Sequence, residues 1–267
     1  MKILVIGGGN MGLTYAQSFL RSHITQKEDM MILEKSPEKA VQLAQLNIGS
    51  VFSEPKDCLG LADLIILAVK PQDAPTLFDV LRPLVEKQQV YLSIMAGVKI
   101  STIAQGLKAS KIIRAMPNLP AQIGMGMTAY TASDEVTRIE LVMVQNLLNT
   151  TGKTIYVDQE SAIDATTAIS GSGPAYVFYF MDAMMKAARG MGFNESEAEL
   201  LVSQTFRGTV DLYNKSNFSC GEWIAKVSSR GGTTEAAMQT YQDRLVQEDI
   251  VAGAQAALAR AIELGES

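Results

Sequence analysis

The first half of the chain alternates short apolar runs with amphipathic stretches, which predicts strands and helices in turn. Residues 2–6 (KILVI) read as a buried strand, and 13–21 carry a helical pattern. MMIL at 30–33 repeats the strand signal, and 37–46 follow as a helix with Pro37 in its first turn. The run DLIILAV at 63–69 is continuously apolar, as a central strand covered on both faces should be. Lys70-Pro71 ends that strand, and 73–85 reads as helix. Strands at 90–95 and 112–116, a short strand near 128–130, a helix over 135–149 and a strand over 154–157 complete this half. The alternation predicts a parallel, doubly wound sheet with helices on both faces.

Past residues 157–161 the strand pattern stops. Residues 162–169, 175–189, 195–213, 221–227, 235–241 and 245–264 all read as helices. The chain therefore divides into an α/β domain, 1–158, and an all-α domain, 159–267. Residues 175–185 (AYVFYFMDAMM) are apolar on nearly all sides, and such a helix must be buried all round. A domain this small does not surround it alone, which predicts a partner subunit.

Chemistry enters at the end of the first strand. Gly7, Gly9 and Gly12 fall in the spacing GxGxxG, with a strand before and a helix after. Glycines there permit a tight turn, the approach of a pyrophosphate and close helix–strand packing. Ile6, Asn10 and Met11 belong to the same candidate cofactor loop. Glu34 closes the second strand, where an acid usually meets the ribose of NAD. Lys35 and Ser36 follow, and together they could hold a 2′-phosphate instead; Glu34 and Lys35 read equally well as a solvated strand end. Small or turn-forming residues recur at later strand ends: Ala68, Val69, Lys70 and Pro71, then Ala96 and Gly97, then Pro117 and Asn118. Ligands of such sheets bind beyond the carboxyl ends of the strands, so this recurrence predicts a shared cleft.

The second candidate is VSSRGGTTEAA at 227–237. Gly231-Gly232 lets the backbone turn tightly. Thr233 and Thr234 then start a helix, where free N–H groups and the helix dipole favour an anion. This reads as a pocket for a small carboxylate; taken alone it reads better as an ordinary helix–loop–helix turn with a Ser/Thr cap, and the glycine-rich first strand end tips the balance.

Composition narrows the classes. The 267 residues are 47% hydrophobic and 19% charged, ordinary for a soluble globular protein. A net charge of −5 without a basic block argues against nucleic acid as a partner. Apolar runs fall short of the ~20 residues that span a bilayer. Residues 3–6 are too short for a signal-peptide core, and a cytoplasmic protein is expected. Cys58 and Cys220 are far apart and suggest no disulfide framework. With His23 as the single histidine, no metal site is expected. His23 itself ends the first helix and reads as a surface residue.

The set GGGNMG, LAVKP (67–71), RAMPNLP (114–120), SGSGPAYVF (170–178) and VSSRGGTT (227–234) resembles the pyrroline-5-carboxylate reductase family along nearly the whole chain. The resemblance implies reduction of 1-pyrroline-5-carboxylate to L-proline with NADPH or NADH, the last step of proline synthesis, with NADPH favoured. It implies a Rossmann-type N-terminal domain and an α-helical C-terminal domain, the plan shared with 6-phosphogluconate dehydrogenase. It also implies helical domains interleaved in a homodimer, with further assembly open. By position, residues 7–12 and 68–71 would touch the cofactor, with Ala96 and Gly97 beside it. Ser229 and the backbone from Gly231 and Gly232 through Thr233 and Thr234 would hold the substrate carboxylate. Thr234 matches the threonine whose hydroxyl faces the imine nitrogen. Arg230 stands where many relatives carry proline or lysine, and Asn217 where some carry an acid, so no acid is assigned. The resemblance places the Ser170–Ser172 turn near the nicotinamide, although SGSGP before a helix is also a good N-terminal cap.

Two other readings share parts of this pattern. A β-hydroxyacid-type dehydrogenase has the same two-domain plan but sets a lysine and an asparagine on the helix after its glycine turn; here the first lysine after Gly173 is Lys186. A dinucleotide-sensing protein without catalysis would keep GGGNMG but has no need of VSSRGGTT.

Overall fold

The computed structural model describes residues 1–266. Ser267, the last residue of the expected second domain, lies outside the described residues. The chain forms two compact units, one of residues 1–172 joined by 257 onward, the other of residues 173–256.

The first unit runs β1 (Ile3–Ile6), α1 (Asn10–Arg21), β2 (Met30–Leu33), α2 (Pro37–Gln45), β3 (Ser50–Phe52), β4 (Leu64–Leu67) and α3 (Ala74–Leu81). It continues with β5 (Val90–Ser93), α4 (Ile100–Leu107), β6 (Ile112–Met116), β7 (Gly126–Ala132), α5 (Arg138–Asn149), β8 (Gly152–Tyr156) and α6 (Ser161–Thr166). The strands form one sheet in the order β3-β2-β1-β4-β5-β6-β7-β8.

Every residue of β1, β2, β4 and β5 is buried, as the apolar runs of β1, β2 and β4 require; β5 buries one polar residue, Ser93. Successive side chains point to opposite faces and so feed two cores. Leu4, Ile6, Ile65 and Leu67 pack with Phe78 and Leu81 of α3 and Ile103 and Leu107 of α4. Ile3, Val5, Leu64 and Ile66 pack with Tyr15 and Phe19 of α1 and Leu147 and Leu148 of α5.

The sheet departs from all-parallel at one place: β7 pairs antiparallel with β6. Residues 117–125 are too few for the crossover that a parallel neighbour needs. The longer connection through α5 then returns β8 parallel to β7. Two elements had no counterpart in the sequence reading. β3 is a three-residue edge strand with no buried position. α4 follows the i, i+3, i+7 spacing of Ile100, Ile103 and Leu107, with Ile103 and Leu107 buried. The expected helix 162–169 is α6 as far as Thr166, and Thr167–Gly171 then form one turn of π-helix.

The units divide at Ser172/Gly173, whereas the change of pattern in the sequence falls at 158/159. Contacts of α6 explain the difference. Arg114 on β6, 1% exposed, donates to Glu160 Oε1 at 2.9 Å and to Asp164 Oδ1 at 2.6 Å, which fastens this all-helical stretch to the sheet.

The second unit holds α7 (Gly173–Gly190), α8 (Glu195–Asn214), α9 (Cys220–Val227), α10 (Thr233–Asp243) and the start of α11 (Val246–Glu266). Capping boxes start α8, where Asn194 pairs with Glu197, and α9, where Ser219 pairs with Glu222. Every residue of α7 is exposed or half-buried in the single chain, including Phe178 at 60% and Tyr179 at 74%. Among the described residues no helix is long and apolar enough to cross a membrane. His23 is exposed just beyond α1, in a left-handed conformation at φ 53°. Cys58 is buried and Cys220 exposed, both as free thiols.

Candidate active site

The parallel register Ile6–Leu67–Ser93 across β1, β4 and β5, continued by Ser93–Arg114 into β6, brings four loops to one sheet edge. They carry Gly7 to Gly12, Ala68 to Pro71, Ala96-Gly97 and Pro117-Asn118. The gathering of these strand-end residues at one edge is thus a consequence of strand order.

The glycine loop fits a dinucleotide pyrophosphate. Gly7 has φ +104°, and a Cβ there would lie 2.7 Å from the Ala68 carbonyl oxygen. A Cβ on Gly12 would collide with the Gly7 carbonyl oxygen. Around Gly9, by contrast, the space is open to 4 Å. Gly9 is the N-cap of α1 and has no side chain to offer its first amides. A helix start that is uncapped, close-packed beneath and open above suits a phosphate. Asn10 and Met11 begin that helix. Ile6 is buried, and its carbonyl accepts the Ala68 N–H at 2.9 Å, which locks the first two loops together.

At the second strand end, Glu34 is only 8% exposed. Its carboxylate accepts the Gly8 N–H at 3.0 Å and the Ser36 N–H at 2.9 Å, so it braces the glycine loop from below. Ser36 caps α2 by accepting the Lys39 N–H and donates its hydroxyl to Glu38 at 2.9 Å. The Glu38 backbone N–H, and after it the Ser36 hydroxyl, hold the Glu38 carboxyl below its ordinary range. The Lys35 ammonium is 82% exposed and pairs with Asp73 at 3.3 Å, across the edge from the Lys70-Pro71 loop.

The turn after β5 has Gly97 at φ +76°, and the last turns of α11, which belong to this unit, lie on it: a Cβ at Gly97 would be 3.1 Å from Leu264. A cavity of about 750 Å³ opens beside Pro71 and Gly97, on the flank formed by Phe78, Arg82 and Thr102. It borders the strand-end cleft and does not include the glycine loop. Asn118 is different from the other candidates. Its Nδ2 donates to the Ser170 carbonyl at 3.0 Å, and its Oδ1 accepts the Met127 N–H at 2.8 Å. Both ends of the amide therefore serve the protein itself.

The second candidate lies wholly in the second unit. Gly231 has φ +72°, and a Cβ on Gly232 would strike Ser229 Oγ. The turn is closed by Gly232 N–H to the Ser229 carbonyl at 2.9 Å and by Gly231 N–H to Glu235 Oε2 at 2.6 Å. Those two glycine amides are thus engaged, so the glycines contribute shape and not donors. Gly232 is the N-cap of α10 and brings no capping side chain to the Thr233 and Thr234 amides. The neighbouring Ser228 Oγ is shut from water without a hydrogen-bond partner, a polar group that invites one. Thr234 is half-buried and Arg230 exposed. Sequence reasoning missed Glu235 as the closing group of this turn, and missed Arg114. The signal for Arg114 was present: a lone charge inside the buried strand IIRAM demands a partner.

A largely parallel sheet with an uncapped, glycine-lined helix start at its strand ends, followed by a helical unit, has the build of a nicotinamide-dinucleotide-dependent oxidoreductase. Residues 2–97 match the family described as NADP oxidoreductase, coenzyme F420-dependent, and residues 160–264 match the family described as pyrroline-5-carboxylate reductase dimerisation. Pyrroline-5-carboxylate reductase 2 of Bacillus subtilis is 34% identical over 99% of this chain and 95% of its own length. The structure of a pyrroline-5-carboxylate reductase from Coxiella burnetii superposes with a TM-score of 0.88 at 30% identity, covering 100% of this chain and 99% of that one. That of the Plasmodium falciparum enzyme with NADP bound gives 0.90 at 25% identity, covering 99% and 98%. The chain belongs to the pyrroline-5-carboxylate reductase family.

Proposed function

We propose that this chain reduces 1-pyrroline-5-carboxylate to L-proline by hydride transfer from NAD(P)H, the closing step of proline biosynthesis. One observation carries the reading. A glycine-lined dinucleotide loop and the turn SSRGGTT at an uncapped helix start occur together in a chain 34% identical to a named reductase along almost its whole length.

The chemistry suits these residue types. Hydride addition to a ketone leaves negative charge on oxygen, and such enzymes place a strong acid there. A cyclic imine is basic enough to arrive as the iminium cation. Hydride then adds to the imine carbon, the π pair returns to nitrogen, and charge is neutralised without an acid. The reduced nicotinamide, when bound, supplies the hydride. The Thr233 and Thr234 amides hold the substrate carboxylate, on a backbone shaped by Gly231 and Gly232 and flanked by Ser229. The Thr234 hydroxyl faces the ring nitrogen. Fixing both groups fixes the imine carbon, and proximity is the main contribution of the protein. Thr234→Ala should lower kcat about two- to tenfold, the value of one hydrogen bond of about 0.5–1.5 kcal/mol, and leave NADPH affinity intact. Unchanged kinetics in the folded variant would remove Thr234 from the mechanism.

Residues 6–12, 68–71 and Ala96-Gly97 hold the dinucleotide, and NADPH is preferred over NADH. Glu34 is turned to the backbone of Gly8 and Ser36, which supports this choice. Lys35 and Ser36 stand at the start of α2, where a 2′-phosphate is favoured. The Lys35–Asp73 pair is exposed and worth little, so it yields to a phosphate. Steady-state kinetics with pyrroline-5-carboxylate and each reduced nucleotide test the whole reading. A lower KM for NADPH is expected. Turnover with neither nucleotide would overturn the function; a lower KM for NADH would put Glu34 in charge of the ribose.

The helical unit forms a homodimer. The exposed Val177, Phe178 and Tyr179 of α7, with Leu200 and Leu201 of α8, present more apolar surface than a monomer ordinarily leaves open. Sedimentation should give a dimer; a stable, active monomer would refute it.

A further inference from the structure

We infer that Asn118 is a positioning residue: it sets the Ser170–Ser172 turn against the cofactor edge of the sheet and acts on turnover, not on dinucleotide affinity. This inference rests on the proposed reduction for its kinetic consequence, and on geometry alone for the placement of the turn.

The argument starts from the hydrogen-bond ladder of the helix that begins at Ser161. Continued as an α-helix, the Ser170 carbonyl would accept from the N–H of residue 174. Residue 174 is proline and has none. The ladder has already slipped at this point: the Ser172 N–H donates to the Thr167 carbonyl at 2.9 Å, five residues back, in the π turn. Side-chain hydroxyls bond back to the preceding turn. Thr166 Oγ1 donates to Ala162, Thr167 Oγ1 to Ile163 and Ser170 Oγ to Thr166. The Ser170 carbonyl takes its donor from Asn118 Nδ2.

Asn118 is itself held. It is extended, at φ −130° and ψ 169°, and its Oδ1 accepts the Met127 N–H from β7. Residues 114, 116 and 118 alternate onto one face of the strand and its extension. Arg114 grips Asp164, Met116 Cε lies 2.9 Å from where a Cβ on Gly171 would stand, and Asn118 grips Ser170. One face of β6 thus seats the helical segment from Glu160 to the turn. Isolated π turns occur often at functional sites, where a ladder defect re-aims the backbone. Here the defect is stabilised by a side chain that comes from the strand-end edge.

Asn118→Asp tests this. The aspartate keeps an acceptor for Met127 but loses the donor to Ser170 and sets a carboxylate against its carbonyl. Three readouts are needed: kcat with the imine, the NADPH dissociation constant from nicotinamide fluorescence, and amide hydrogen exchange over residues 167–173. Misplacing a positioned group by an ångström costs up to about a hundredfold in rate, so a kcat lower by about tenfold or more is expected. The NADPH constant should stay within about twofold and exchange in the segment should quicken. Asn118→Ala, which removes both bonds without adding charge, should shift the three readouts in the same directions and serves if the aspartate variant does not fold. A dissociation constant that rises in step with the fall in kcat would make Asn118 a direct cofactor ligand and overturn the inference. Unchanged kcat or unchanged exchange in a folded variant would also overturn it. If the unaltered protein fails to oxidise NADPH with the imine, the proposed function falls, while exchange and NADPH affinity still decide the role of Asn118.

Discussion

Gly12→Ala should abolish measurable dinucleotide binding. A methyl group at this position collides with the Gly7 carbonyl oxygen and comes within 3.1 Å of Val5 Cγ1 and 3.2 Å of Ala68 Cβ. Val5 and Gly7 are backbone or near-backbone neighbours fixed by the sheet, so α1 must retreat. Its first amides retreat with it, away from the phosphate they are placed to meet. Overpacking of this kind costs about 1–3 kcal/mol of stability, which a protein of this size survives. The check is a fluorescence titration with NADPH beside a thermal melt. A folded Gly12→Ala variant that binds NADPH with native affinity would place the pyrophosphate elsewhere.

Arg114→Met should give a large loss of stability. The guanidinium is almost fully buried and is the shared partner of Glu160 and Asp164, whose side chains are 30% and 10% exposed. Burying two carboxylates without their cation is costly, and breaking such a pair from one side destabilises by about 3–5 kcal/mol. Glu160 also accepts the Ile100 N–H at 2.8 Å, so its displacement loosens the start of α4 as well. In a chain of two units the observable is the apparent melting temperature, which should fall by about 10 °C. Arg114→Met combined with Asp164→Leu and Glu160→Gln should recover most of the loss, because it removes the stranded charges. A melting temperature unchanged in Arg114→Met alone would show that the carboxylates find water, and that the cluster does not fasten α6.

Both predictions turn on features that the sequence displayed unequally. GxGxxG between a strand and a helix singles out Gly12 from the sequence alone, since only glycine tolerates contacts this close. Arg114 was visible only as an anomaly in an apolar strand. Its partners lie 46 and 50 positions away, and no local pattern joins them.

The same contrast runs through the whole protein. Local pattern sufficed for β1, β2 and β4, because a strand buried on both faces is continuously apolar, and for β5 and β6, whose apolar runs each admit one polar residue. It sufficed for the helices of the second unit, whose capping residues and periodicity lie within a few positions of each other. It placed the strand-end chemistry too, since turns and phosphate loops draw on few residue types. What it left open depended on distant neighbours. β3 exists only as an edge on β2, and its three residues carry no burial signal. The antiparallel turn of β7 follows from which strand it pairs with. The unit boundary moved past α6 because Arg114 reaches across to it. Glu34 reads from the sequence as a ribose ligand or a strand end, and only the tertiary structure shows the Gly8 and Ser36 amides on its carboxylate. Asn118 reads as one of the strand-end cofactor candidates, and only the tertiary structure shows its amide donating to Ser170, 52 positions on. Residue type and spacing determine what a segment can do by itself; a hydrogen-bonding side chain can take any of several partners, and only the packed chain selects among them.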